Sequence, residues 1–256
     1  MRLKPKIYNE IDFDSIEAGE RARYVLRNKK CLREIYVELY VSMMEIRDKL
    51  LVKGGKVLEI GSGGGFIKDL FPEVITSDVK QISGVDRVFS AVKLPFEDNS
   101  LDAILAIHVL HHIPDVEAFL NEAKRVLKQG GGIVCVEPYW GPLAQFVFTY
   151  IHPEPFDKNA QQWQLAGDSP MTSSNQAMSY LLLKRDKDKF AKLFPDLRLV
   201  FRKKYGFVRY FMTGGIWLDQ KLPDFVFPIL KIIDLLLTPL FSFVGLHQMF
   251  VWKKIK

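Results

Sequence analysis

The chain has 256 residues, 48% of them hydrophobic and 12% aromatic, with a formal net charge of +6. That apolar content supports one large α/β domain, or one domain with a modest appendage, and excludes a disordered chain. The positive balance is compatible with nucleic acid, an anionic membrane surface or a phosphorylated substrate.

Cys31 and Cys135 lie far apart without metal-ligand spacing, and Cys135 sits in an apolar run, so it reads as a small core residue in a reducing cytosol. The N-terminal MRLKPKIYNEIDFD has no apolar h-region, which argues against a secretory signal, and a cytoplasmic location is expected. Residues 1–14 read as an irregular lead-in. From Ser15 to Leu51 the pattern is that of two helices broken near Asn28-Lys29-Lys30, with an apolar stripe through Tyr24, Val25, Ile35, Leu39, Met43, Ile46 and Leu50. Residues 1–54 thus form a helical cap, covering either a sheet or a ligand pocket.

The stretch KVLEIGSGGGF, Lys56 to Phe66, follows. Val57, Leu58 and Ile60 read as a short buried strand, Gly61, Gly63 and Gly65 fall on alternate positions, and Phe66 to Leu70 reopens with helical spacing. Such a turn lets a ligand approach bare backbone N–H groups at a helix start. A dinucleotide fingerprint would need glycine where Phe66 stands. Glu59, two residues before the first glycine, suits a cation better than a pyrophosphate. The turn therefore reads as built for a small, positively charged nucleoside.

Strand and helix patterns then alternate. Glu73–Asp78, Arg87–Phe89, Leu101–His108 and Ile133–Glu137 read as strands, Leu94–Asp98 as a turn, and Val116–Leu127 as a helix closed by Gly130-Gly131-Gly132. Strands separated in this way imply parallel βαβ units.

In order, VLEIGSGGG, ITSD, AVKLPFEDNSLDAILAIHVLHHIPD and EAKRVLKQGGGIVCVEP resemble the motifs of class I S-adenosylmethionine-dependent methyltransferases, most closely type 11. The resemblance covers residues 55–138, the cofactor-binding core. It implies an α/β, Rossmann-like, seven-stranded and mostly parallel sheet of order 3-2-1-4-5-7-6 with helices on both faces. Leu197–Tyr205 would be strand six and Met249–Ile255 an antiparallel strand seven. Residues 139–256 are a substrate-side segment of the same domain. The resemblance further implies S-adenosyl-L-methionine as cofactor. Glu59, Gly61, Ser62, Gly63 and Gly65 would hold its methionine and ribose side, Asp78 its ribose hydroxyls, and Val79, Ser90 and Ala91 its adenine, with His108 beside the sulfonium. The family often has an acid at the position of Ser90, so one adenine contact is missing.

His111 and His112 invite a metal reading, but neighbouring helical positions diverge by about 100°, so no metal is expected. Beyond strand five come Glu137 and the proline-stiffened Tyr150-Ile151-His152-Pro153-Glu154-Pro155. If the acceptor is a hydroxyl, His152 is the first choice of base, oriented by Glu154 or Glu137, against a merely structural histidine. EPFD, Trp163, Ser169–Gln176, KRDKDKF and LFPDL add a looser resemblance to a type 11 subgroup associated with polysaccharide or glycolipid assembly. Lys184–Lys189 reads as a solvated helix face or as a contact for substrate phosphate.

Residues 206–248 form an apolar insert. Between Leu222 and Trp252 only Asp224, Lys231 and Asp234 are charged, yet Pro239, Gly245, His247 and Gln248 interrupt any membrane span. Burial in the domain or a homodimer interface competes with peripheral membrane contact through residues 222–248, with Trp217 and Trp252 near the interface. The expectation is O-methylation of a glycan, lipid-linked sugar or membrane lipid. C-methylation of a quinone-like isoprenoid and a non-catalytic nucleotide-binding protein are its rivals. An NAD-linked dehydrogenase is disfavoured by Phe66, and nucleic acid by the lack of an aromatic-plus-basic stripe.

Overall fold

The computed structural model describes residues 10–51, 53–167, 169, 172–206 and 208–256. Residues 1–9 of the lead-in lie outside these, as do Pro170 and Met171 of the polar run. Two helices, α1 (Ile16–Asn28) and α2 (Lys30–Leu50), meet at Lys29 as expected. Ser15 caps α1 by accepting from the Ala18 N–H at 3.1 Å.

Among the described residues one sheet has seven strands: β1 (Val57–Ile60), β2 (Ile75–Asp78), β3 (Arg87–Val88), β4 (Leu101–Ile107), β5 (Leu127–Pro138), β6 (Leu197–Tyr205) and β7 (His247–Lys254). Their order is β3-β2-β1-β4-β5-β7-β6, with β7 antiparallel to both neighbours and the rest parallel. The central strands read as unbroken apolar runs because both faces are covered. Ile104, Ile133, Cys135, Phe250 and Trp252 pack on one face beneath the helix Val116–Val126. Ala103, Leu105, Val134, Val136 and Val251 pack on the other, beneath α2.

Two expectations need correction. Gly130-Gly131-Gly132 do not close a helix, because β5 begins at Leu127 and runs through them. A Cβ on Gly132 would lie 2.3 Å from the Trp252 carbonyl oxygen, so close strand packing explains that glycine. Trp252 stands at no membrane interface either: it is a core residue of β7, stacked on Phe190 with ring centroids 4.9 Å apart. Of the basic run, Arg185 pairs with Asp186, which also accepts from the Trp163 indole N–H at 2.8 Å.

The insert after β6 folds as short helices, including Val208–Thr213, Phe227–Leu236 and Phe241–Val244. Phe227 and Leu230 bury against Cys31 at the start of α2. The opposite side leaves Phe225, Leu235, Leu236 and Phe243 between 63% and 78% exposed. No single helix among the described residues is long and apolar enough to cross a membrane, and the segments 224–236 and 238–244 meet at a 58° bend.

Candidate active site

The carboxyl ends of β1, β2, β4 and β5 open into one cavity of about 520 Å³. At one end is the glycine turn. Gly61 has φ +59°, and a Cβ there would meet Val109 at 2.4 Å. A Cβ on Gly64 would lie 2.3 Å from the Arg23 backbone nitrogen, so α1 seats directly on the turn. Ala18, Gly19 and Ala22 of α1, with Tyr36 and Tyr40 of α2, thereby line the cavity. The N-terminal helices cover the sheet and also cap this pocket. Phe66 packs edge-to-face on Tyr40 beneath the turn, under the Arg33 guanidinium 5.0 Å away.

Glu59 is buried at the turn, and its Oε2 has no hydrogen-bond partner among the described residues. Burial pushes its carboxyl up to about 7, with Ser62 and Tyr40 pulling the other way. Asp78, at the end of β2, accepts from the Gly63 N–H through Oδ2 and the Lys80 N–H through Oδ1, each at 2.9 Å. Each oxygen keeps a lone pair for a further donor. An unpaired buried carboxylate oxygen, bare backbone and a second carboxylate fit the ammonium and ribose hydroxyls of S-adenosylmethionine. Val79, Ser90, Ala91 and Phe89 line the same side, and Val79 is 46% exposed.

At the other end stand all five histidines of the chain, His108, His111, His112, His152 and His247. His108 ends β4 with φ +56°, a left-handed conformation rare outside glycine, and its ring lies 4.8 Å from that of His247. His111 and His112 share the tight turn Leu110–His112 after β4. Glu137, wholly buried, accepts from the Val109 and Leu110 N–H groups at 2.9 and 2.8 Å through Oε1, and from His111 Nδ1 at 2.6 Å through Oε2. Glu137 therefore orients His111. Glu154 Oε2 lies 3.3 Å from His111 Nε2 and 3.6 Å from His112 Nε2. The two imidazoles do not diverge as the helical spacing predicts: their ring centroids are 4.3 Å apart and both reach one carboxylate. His152 Nδ1 accepts from the Glu154 N–H at 3.3 Å.

Burial alone would lower His111, but the charge and hydrogen bond of Glu137, then of Glu154, hold it up at about 10. Burial holds His108 and His112 down at about 4. Glu137 and Glu154 lie below the usual carboxylate range despite burial, because His111 and His112 face them. The cluster is thus an imidazolium clamped between two carboxylates, among neutral histidines.

Much of the remaining cavity lining is apolar. Val147, Phe148 and Ile151 come from the segment after β5, and Tyr210, Phe211, Ile216 and Trp217 from the insert. Lys29 ties the insert down, donating through Nζ to the carbonyls of Thr213, Gly215 and Leu218 at 2.9, 2.7 and 2.7 Å. Sequence reasoning missed His247, Gln176 and this lining. Their one signal was that a chain with so few histidines places two of them side by side after a buried strand.

Residues 58–135 match the family model for a methyltransferase domain, type 11. Over 134 residues the chain is 30% identical to a demethylmenaquinone methyltransferase of Staphylococcus haemolyticus, covering 48% of this chain and 52% of that one. Over 99 residues it is 34% identical to a ubiquinone/menaquinone biosynthesis C-methyltransferase of Desulfotalea psychrophila, covering 36% and 39%. The chain spans about half the length, or less, of these curated relatives. A solved S-adenosylmethionine-dependent methyltransferase from Archaeoglobus fulgidus aligns over 84% of this chain and 93% of its own, at 15% identity and a TM-score of 0.48.

Proposed function

Because residues 58–135 are a class I S-adenosylmethionine-dependent methyltransferase domain of type 11, we propose that this protein methylates an oxygen of a lipid-type acceptor, such as a membrane lipid or lipid-linked sugar. The observation that carries this reading is the single cavity that holds both the Glu59–Asp78 end and the histidine end, with much of its remaining lining apolar. A free glycan would leave its hydroxyls unpaired against that lining, so the lipid-type acceptors suit it better than a bare sugar.

When bound, the cofactor supplies an electrophilic methyl on a sulfonium. Glu59 answers its ammonium, Asp78 its ribose, and the bare turn from Gly61 to Gly65, with Ser62, lets it lie against backbone. Val79, Ser90 and Ala91 flank the adenine, and His108 stands where β4 meets the sulfonium side. α1, α2 and the insert exclude water, which keeps the electrophile from hydrolysis. His152 takes the acceptor's proton, with Glu154 beside it. Its Nδ1 accepts from the Glu154 N–H at 3.3 Å, a long bond that it gives up on protonation. The exposed apolar side of residues 222–248 rests on the membrane that holds the acceptor.

A second reading, C-methylation of a quinone-like isoprenoid, is favoured by the names of the two curated relatives, a demethylmenaquinone methyltransferase and a ubiquinone/menaquinone biosynthesis C-methyltransferase. It needs the same apolar lining and no base strong enough for an alcohol. Incubating native lipid extracts with the protein and isotope-labelled cofactor, then reading products by mass spectrometry, separates the two. A labelled methoxy group supports the first reading, and a label on ring carbon replaces it with the second. His152→Ala lowers turnover about 10²–10⁴-fold if His152 is the base, and unchanged turnover removes it from that role.

A further inference from the structure

The histidine end holds more polar groups than methyl transfer requires. Methyl displacement from a sulfonium needs an acceptor lone pair and at most one base. Here two imidazoles and a carboxylate converge on one point of the cavity wall. The three donor atoms, one each from His111, His112 and Glu154, all lie within 4.8 Å of one another. We propose that His111 Nε2, His112 Nε2 and a Glu154 carboxylate oxygen form a binding site for a divalent cation of the zinc class, open on its cavity side to an oxygen of the acceptor.

Several features besides proximity support this. Glu137 accepts from His111 Nδ1–H at 2.6 Å, which directs Nε2 at the shared point, and Glu137 is itself fixed by two backbone N–H groups. The cation displaces the Nε2 proton that the metal-free imidazolium carries and releases it to solvent. A carboxylate holding the far nitrogen of a ligand histidine is the usual outer partner of a bound metal. Gln176 is 3% exposed; its amide nitrogen lies 3.1 Å from His111 Nε2 and donates to Glu154 Oε2. Its amide oxygen has no partner among the described residues. Turning the amide over places that oxygen at the same point as a fourth donor and leaves no wasted acceptor. Two nitrogens with one or two oxygens suit zinc and its neighbours rather than magnesium, which takes oxygen ligands. The donors line the cavity, so a further coordination position faces its interior. His112 Nδ1 has no partner among the described residues, so on this side the outer shell is incomplete.

Metal binding is measured without cofactor or acceptor, so its failure leaves the methyl-transfer reading intact, and the failure of that reading leaves this one testable. Full-length protein is stripped with a chelator and titrated calorimetrically with Zn²⁺ alone and with Mg²⁺ alone. One equivalent of Zn²⁺ and no saturable Mg²⁺ binding are expected. His112→Ala and Glu154→Gln should each weaken Zn²⁺ at least as much as loss of an outer-shell partner does, about 10–100-fold, and Glu137→Gln by an amount in that range. If His112→Ala fails to fold, Glu154→Gln and the visible spectrum of the Co²⁺-loaded wild-type chain decide. Absence of saturable Zn²⁺ binding overturns the proposal. So does a Zn²⁺ affinity that the Glu154 substitution leaves unchanged, or a Co²⁺ spectrum of the hydrated ion.

Discussion

The two ends of the cavity sit on the same edge of one sheet and are held by opposite means. At the glycine end, Glu59, the turn and Asp78 belong to one strand–turn–helix–strand unit, and backbone N–H groups meet the carboxylate of Asp78 directly. One oxygen of Glu59, Oε2, is left without a hydrogen-bond partner among the described residues, ready for a cation that arrives from outside. At the histidine end the charges already answer one another, His111 standing between Glu137 and Glu154. One end spends stability to wait for a ligand, whereas the other gains it from its own side chains.

Substitutions at the two ends should therefore fail differently. His111→Ala strands the wholly buried Glu137 and removes one partner of the partly buried Glu154, and urea denaturation should show a loss of about 3–5 kcal/mol. A loss below 1 kcal/mol would mean the clamp is not a stabilising unit. Asp78→Ala should leave the fold nearly intact while weakening S-adenosylmethionine by about 1.5–3 kcal/mol in calorimetry. Equal damage to folding and binding would erase the contrast between the ends.

Acid and base should also separate them. His111, raised to about 10, gives its stabilisation in full below its ordinary 6.5 and loses it as pH rises through 10. His108 and His112, lowered to about 4, act the other way: their contribution is present above 6.5 and is lost as pH falls toward 4. Thermal melts across that range should peak between these limits. Glu59, raised to about 7, stabilises the ligand-free chain below its ordinary 4.5 and ceases to as pH rises through 7. The cofactor's ammonium demands the ionised form, so cofactor affinity should weaken as pH falls below 7, by up to about tenfold per unit. In Glu59→Gln that dependence should vanish. The smallest effect on stability should come from the insert. Leu235→Asp and Leu236→Asp, 71% and 72% exposed in the parent chain, should change folding by under about 0.5 kcal/mol. Both should reduce co-sedimentation with anionic vesicles, and unchanged sedimentation would remove the membrane contact.

Much of the glycine end was legible before any coordinates. The apolar runs of β1 and β4, the alternate glycines and an acid closing β2 are local features, and local features are what spacing reports. The helix break at Lys29 was legible for the same reason. The histidine end was not. His111 and His112 were judged by helical geometry, and a tight turn after β4 overruled it. The bond between Glu137 and His111 was not foreseen, because the partner of a buried strand-end acid depends on which loop crosses above it.

By itself the sequence determined the alternation of the first five strands with helices and the glycine turn, because hydrophobic period and glycine placement act over a few neighbouring residues; the sheet order came with the family resemblance. Only the tertiary structure decided which of five histidines meet which of two glutamates, and which side of the insert stays bare. Those contacts join residues as far apart as His108 and His247, and no spacing rule fixes the packing that brings such distant positions together.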